Sequence, residues 1–537
     1  MQPSWLIFLP PLCVLIIAFT TKRIITALFI GIVLSAFIAY NGAVIPSIQL
    51  VLQSLFEKAT DIENLYTFAF LLCLGVTLAF INYTGGALAL GNILTKRLTT
   101  KKDTETSSLI LSCILAIDDY LNCLTAGYVM QPLTDRFHIA RIKISFLINS
   151  MTVPLTILIP ISTWAGFLLR QFSLAKISLD AADNPKILAD PLIVYFKSIP
   201  FILYSFITIA AVCFIVRRQI TFGLIKKHED IARTTGNLFG GKTAVARPLT
   251  PPISSENLSL WDFFLPMGTL FIGFFIGILY SGNFFLFGGT NTFVAAFKTA
   301  RVIPVLFVIG FITMMLTIAM ALLRNNVSYK QIPRLIKEGI QLTLPAIILI
   351  YFAWTFSALL SDQLGIGQYL ATHLLSNVLP ALLPVMLFIT TTSISFIIGS
   401  AWGTIAMMLP ISVDILTSLN TQTMLPTDLT SICLLLPSIG AVLSGALAGN
   451  HLSPIADVAI MSSTSTGAHL VDHVKGQTSY IIPCFLATCI AFIMVGFIAC
   501  NNVWLAIGLA LSIGITFCCT LLYLLHRRAH NKKMRSF

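Results

Sequence analysis

The sequence predicts an all-α polytopic membrane protein with about 11 transmembrane helices, two oppositely oriented re-entrant hairpins and an inverted-topology repeat. Three observations carry this expectation. Of 537 residues 57% are hydrophobic and only 10% charged, with a mean hydropathy of +0.90, whereas soluble domains are about a quarter charged. Apolar runs of the roughly 20 residues that cross a bilayer recur along the whole chain. Lys and Arg fall in short clusters between those runs, the pattern that orients helices in membranes, so the net charge of +12 does not mark a nucleic-acid partner.

Taken in order, the spans fall near 4–20, 24–41, 65–82, 145–169, 194–216, 260–281, 302–323, 338–360, 429–449, 479–499 and 503–525. The first has no preceding Lys or Arg, and Lys22 and Arg23 follow it, which favours a retained helix over a cleaved signal peptide. Segments 107–132 and 380–411 are apolar but interrupted by polar residues, Gly and Pro. Basic clusters flank the first at Lys101/Lys102 and Arg136/Arg141, so it enters and returns on the cytoplasmic side. No Lys or Arg occurs between Lys337 and Lys475, so the second dips in from outside, flanked by Gln363 and Asn420. The N-terminus is then external, the C-terminus cytoplasmic, and the location a cell inner membrane. The order of elements in 1–216 recurs in 260–499 from the opposite side, with Met130-Gln-Pro132-Leu-Thr134 against Met408-Leu-Pro410-Ile-Ser412. Interrupted helices in an inverted repeat are the architecture of secondary transporters. Residues 217–259, rich in basic residues, Gly and Pro, read as a partly disordered cytoplasmic linker, and 500–537 as an appended helix with a basic tail suited to anionic lipid.

The chemistry concentrates at Asp118-Asp119-Tyr120-Leu-Asn122 inside the first hairpin. One ionisable side chain at bilayer depth costs at least about 2.5–3.5 kcal/mol, so two in succession call for a cation, a proton or water as partner. In the second hairpin Ser400-Ala-Trp402-Gly403-Thr404 follows Gly399, a pattern that lets backbone unwind and present carbonyls to a cation. The span at 145–169 ends in Ser162-Thr163-Trp164, and the one at 429–449 ends in Asn450-His451-Leu-Ser453-Pro454-Ile-Ala-Asp457, where Pro454 frees backbone oxygen. His451 reads as a hydrogen-bonded scaffold residue. His469 and His473 sit four apart before Lys475; a solvated helix end is the first reading, a pH-sensing patch the second and a transition-metal site the last. The 11 Cys, with no CxxC and no paired spacing, read as small core residues.

Asp118-Asp119-Tyr120-x-Asn122, Met130-x-Pro132-x-Thr134-Asp135-Arg136, Ser162-Thr163-Trp164, Ser400-x-Trp402-Gly403-Thr404 and His451-x-Ser453-Pro454-Ile455-x-Asp457 together resemble the NhaC-type sodium/proton antiporter family. The resemblance implies a secondary transporter rather than an enzyme, without a cofactor, that exchanges Na⁺ for H⁺. Its cation and proton site would comprise Asp118, Asp119, Asn122, Ser400, Thr404, Asn450, Ser453 and Asp457, supported by Tyr120, Thr163, Trp164, Trp402, Gly403, His451 and Pro454. The chain departs from the family pattern at Asn450, where relatives usually carry Asp. A homodimer is a further expectation. Oxygen donors suit a hard cation such as Na⁺, and proton and cation compete for one buried carboxylate. The nearest rival is proton- or sodium-coupled antiport of a small organic acid or amino acid, which would call for cationic residues or helix N-termini at the site. Intramembrane aspartyl proteolysis would leave the repeat without a purpose, and zinc proteolysis lacks HExxH.

Overall fold

The computed structural model describes residues 5–21, 23–86, 89, 99–116, 118–160, 162–179, 184–244, 258–369, 379–419, 427–429 and 431–534. Apolar stretches become helices throughout: α1 (Leu9–Thr21), α2 (Ile24–Ala39), α3 (Val44–Thr60), α4 (Ile62–Thr84), α5 (Lys101–Ile114), α6 (Asp119–Arg136), α7 (Arg141–Thr156), α8 (Thr163–Leu174), α9 (Pro191–Ser198), α10 (Leu203–Arg218) and α11 (Gly223–Thr235). The chain continues with α12 (Trp261–Ser281), α13 (Phe293–Thr299), α14 (Val302–Leu323), α15 (Ile332–Ala358), α16 (Ile366–Tyr369), α17 (Leu383–Ile398), α18 (Ala401–Leu419), α19 (Leu435–Leu452), α20 (Asp457–Thr466), α21 (Leu470–Ile498) and α22 (Val503–Met534). Among the described residues ten helices are long and apolar enough to cross a membrane. Ile272, Ile276, Val308, Phe311 and Trp504 point outward from α12, α14 and α22, as an apolar solvent around the fold requires. The protein is an all-α polytopic membrane protein.

Four places where apolar sequence fails to stay helical organise the interior. The first hairpin is α5–α6, broken around 115–118, and the second is α17–α18, broken at Gly399 and Ser400. Both extend beyond the expected 107–132 and 380–411. The expected single span at 145–169 is two helices, α7 and α8, separated at 157–162. Pro160 explains the gap, since the residue before a proline is driven out of helical geometry. Pro454 does the same between α19 and α20. The order hairpin, then broken helix, thus occurs once in each half of the chain. An additional helix, α3, was outside the expected spans: it mixes exposed apolar Ile45, Ile48 and Phe56 with Gln53 and Glu57.

Ion pairs mark two faces. On one, Glu229 of α11 bonds Lys101 at the start of α5 and accepts the Ala140 N–H just after α6 (3.0 Å), so both ends of the first hairpin meet there. Lys143 joins the same cluster through Glu105 (2.5 Å) and Glu229 (3.5 Å). Breaking such a buried pair costs about 3–5 kcal/mol. The linker is therefore partly a packed helix, and its segment 245–257 lies outside the described residues, as does Asn420. The other face carries Arg170, which bonds Asn64 Oδ1 (2.8 Å), Asp61 (2.6 Å) and Glu63, along with Lys176–Asp362 (3.2 Å) and Lys186–Asp414. A parallel three-stranded sheet, β1 (Ile177–Ser178), β2 (Ile187–Leu188) and β3 (Thr427–Asp428), stitches loops of the two halves together on this face.

The reading of every cysteine as a plain core residue needs correction. Cys433 and Cys500 form a disulfide with Cα atoms 5.1 Å apart, joining the start of α19 to the α21–α22 turn. Their 67-residue separation hid the pair in sequence, because helices that run across and back return distant residues to one face.

Candidate functional site

The four breaks converge. Asp119 is the first residue of α6, Thr163 of α8, Ala401 of α18 and Asp457 of α20. An acidic residue in the first turn complements the positive end of the helix dipole, which explains two of these starts locally. Ser400 precedes α18 and its Oγ accepts the Gly403 N–H (3.3 Å). Gly399 ends α17 in a left-handed conformation (φ +75°), and an added Cβ there would lie 2.7 Å from Ile455 Cγ1 in the opposing break. The breaks cross so closely that only a glycine fits.

Side chains tie the elements across the crossing. Tyr120 donates its hydroxyl to Asp457 Oδ2 (2.9 Å), while Asn450 Nδ2 and the Val458 N–H donate to Asp457 Oδ1 (3.2 and 2.8 Å). Asn450 Nδ2 also approaches the Gly399 carbonyl (3.5 Å). Trp164 Nε1 donates to Asp119 Oδ2 (3.3 Å), and its ring packs 5.0 Å from that of Trp402. Asp118 is 4% exposed and Asp119 1%. Asp119 lies within electrostatic reach of both Asp118 and Asp457. A cavity of about 20 Å³ touches Asp118, Tyr120, Thr163 and Trp402 on one wall and Leu71, Leu74, Leu78 and Thr343 of α4 and α15 on the other. That volume holds about one water-sized species.

Several buried oxygens around the breaks have no hydrogen-bond partner among the described residues: Asn122 Oδ1, Asn450 Oδ1, Ser112 Oγ, Ser162 Oγ and Thr163 Oγ1. Such atoms cost about 1–3 kcal/mol each when left unmatched, so the arrangement suits a species that accepts oxygen ligands. Asn122 reaches back with Nδ2 to the Ser112 carbonyl (2.8 Å), which holds Oδ1 in place.

The sequence-predicted residues divide into two groups. Asp118, Asp119, Tyr120, Thr163, Trp164, Ser400, Trp402, Asn450 and Asp457 are brought together. Others serve the backbone: Thr404 donates to the Ser400 carbonyl (2.7 Å), the Ser453 Oγ accepts from Ile455 N (3.4 Å), and Gly403 packs on Leu349. Pro454 is exposed at its break. His451 turns away, with Nδ1 against the Tyr204 hydroxyl (2.8 Å). His469 lies at the far end near Thr243 O (3.0 Å), and His473 is 0% exposed, so the solvated-end reading fails for His473. Helix α21 starts at Leu470 and carries that turn inside the bundle. Sequence reading missed Ser112, Thr343 and the α4 leucines. Apolar i, i+3 and i+7 positions such as Leu71, Leu74 and Leu78 look the same whether they line a cavity or a core.

Residues 172–498 match the sequence model of the Na⁺/H⁺ antiporter family. The chain is 27% identical over 499 residues to an uncharacterized protein of Haemophilus influenzae, covering 91% of this chain and 90% of that one. It is 28% identical over 194 residues to the malate-2H⁺/Na⁺-lactate antiporter of Bacillus subtilis, covering 36% and 37% of the two chains. Among solved structures, Neisseria gonorrhoeae MtrF aligns at 13% identity over 84% of this chain and 85% of that one, with a TM-score of 0.42. The Alcanivorax borkumensis YdaH transporter aligns at 14% identity over 87% and 90%, with a TM-score of 0.43.

Proposed function

Because the chain belongs to the Na⁺/H⁺ antiporter family, and is thus a multi-pass secondary antiporter rather than an enzyme, we propose that it exchanges Na⁺ for protons across an inner membrane. One observation carries the reading: Asp119 lies within electrostatic reach of Asp118 and Asp457, Asp118 lines a cavity of about 20 Å³, and the adjoining Asn122 Oδ1 and Asn450 Oδ1 have no hydrogen-bond partner among the described residues. A small hard cation fits that space and that donor set. A buried carboxylate holds a proton against desolvation and gives it up to a bound cation, so the two compete and each crosses in place of the other. The three carboxylates act as a coupled group, and no single one owns the proton. Asp118, Asp119, Asn122, Asn450 and Asp457 form the cation and proton site. Ser400 holds the start of α18, and Tyr120, Trp164 and Trp402 fix the carboxylates.

The two halves, 1–216 and 260–499, form an inverted repeat whose hairpins enter from opposite faces, with the N-terminus outside and the C-terminus in the cytoplasm. In support, the 14 residues of α5 span only about 21 Å, short of a bilayer core, and both ends of its hairpin meet Glu229.

Purified protein in proteoliposomes with an internal pH dye tests the exchange. Na⁺ pulses should move protons, K⁺ should do so weakly, and Asp119→Asn should lower the signal at least tenfold while the protein still inserts. Parent-rate signals from Asp118→Asn and Asp119→Asn would remove these carboxylates from the mechanism. A second reading, antiport of a small carboxylate, is favoured by the four helix N-termini at the breaks, which attract anions. Two of those ends already carry Asp119 and Asp457, which weakens it. A pulse of lactate or malate in the same vesicles separates the readings.

A further inference from the structure

Beyond the site, a polar track crosses the otherwise apolar contact between α7, α20 and α21. On α7, Arg141, Ser145 and Asn149 recur every four residues and so share one face; on α21, His473 and Gln477 do the same, four and eight residues after the cap residue His469. These faces meet at Asn149, whose Nδ2 donates to Gln477 Oε1 (2.9 Å) and lies 3.5 Å from His473 Nε2. Ser462 of α20 completes the meeting point, its Oγ 3.4 Å from His473 Nε2 and 3.4 Å from Ser145 Oγ. All four side chains, Ser145, Asn149, Ser462 and His473, are 0% exposed.

The track has two ends. Helix α20 begins at Asp457, and Ser462 lies five residues on, roughly 7–8 Å along the axis. In the other direction Arg141 lines an open cavity of about 720 Å³ on the face of the basic clusters, shared with Gln131, Asp135, His138, Lys242 and Gly467. Along the way His473 Nδ1 and Asn149 Oδ1 have no partner among the described residues. Two unmatched polar atoms on the seam's own residues are costly to leave dry, whereas a file of water would satisfy them.

We propose that this seam is a proton path between the carboxylate site and the cytoplasmic cavity, with His473 as its relay, separate from the cavity beside Asp118 and α4 that admits the cation. The proposal rests on the antiport reading above. Apolar Leu71, Leu74 and Leu78 line the cation's side, while in the seam the His473 imidazole meets Asn149 of α7 and Ser462 of α20. One proton released at the site passes by water to the free ring nitrogen of His473 as the ring N–H releases another toward Ser462 and the cavity. The imidazole ends neutral, with its proton on the other nitrogen, and a half-turn of the ring restores the starting arrangement. Ser145 and Ser462 are positioning residues for that water.

The test compares two fluxes in proteoliposomes of the full chain. Sodium-for-sodium counterflow, followed with radioactive Na⁺, needs no proton movement; sodium-driven proton flux does. His473→Gln keeps the hydrogen bonds but cannot relay, so proton flux should fall at least tenfold while counterflow stays within twofold of the parent. Ser462→Ala, a smaller change, should lower proton flux several-fold with counterflow intact. Equal rates of both fluxes in the two variants overturn the path, and equal loss of both makes His473 structural and overturns it too. A parent protein that shows counterflow but no sodium-driven proton flux defeats the antiport reading and the path together, an outcome distinct from either variant result.

Discussion

At the scale of single residues, Asn450 is the most informative position. It donates to Asp457 Oδ1 at 3.2 Å, at the position where the resemblance read from the sequence implies an acid. Asn450→Asp would set two carboxylates at that distance, and like charges so close retain one proton between them until the medium becomes more alkaline. The onset of sodium-driven proton flux should move up by about one pH unit, and above that onset half-saturating Na⁺ should fall; a pH series of dye-loaded vesicles measures both. An unchanged onset would mean that Asn450 does not face the bound ion. The sequence made this site partly legible, because Asp118, Asp119 and Asp457 are charges that an apolar setting cannot accommodate idly. It did not reveal that His451 turns to Tyr204 or that Thr404 bonds its own helix, since side-chain direction depends on where each helix begins.

At the scale of elements, the crossing of the breaks depends on Gly399. An alanine there needs a left-handed backbone, costing roughly 1–2 kcal/mol, and its methyl would press on Ile455 at 2.7 Å. Gly399→Ala should therefore lower the thermal midpoint in detergent by several degrees and weaken Na⁺ exchange. Gly403→Ala, whose nearest neighbour would be Leu349 at 3.4 Å, should be nearly silent and serves as the control. Equal melting of the two variants would show that the backbone at Gly399 is not under steric constraint. The breaks before α6 and α18 were visible beforehand because Gly, Pro and polar residues interrupt those apolar segments. The gap between α7 and α8 was not, since a window averaged over 145–169 sees apolar Ile157, Leu158 and Ile159 and cannot see that Pro160 ends helical geometry.

For the whole molecule, the placement of charges predicts sidedness. Single cysteines at Lys102 and Arg136 should react with an impermeant thiol reagent from the cytoplasmic face, and one at Gln363 from outside; all three positions are exposed. Labelling of Lys102 and Arg136 from opposite sides would make the first hairpin a pair of crossings. The polytopic, all-α character was legible because hydropathy is additive along the chain, but the spans were not all counted correctly: among the described residues ten helices qualify against about eleven expected, and α17 and α18 are each long and apolar enough to cross. The Cys433–Cys500 bridge depends on how distant segments return to one face. That bridge also bears on biogenesis. Between its two cysteines the chain makes one complete excursion through α19, α20 and α21, so an oxidising compartment can close the bond only after that excursion has been threaded and brought back. The bond is a covalent record of completed insertion: a nascent chain stalled midway retains two reactive thiols, and a mature one has none at these positions.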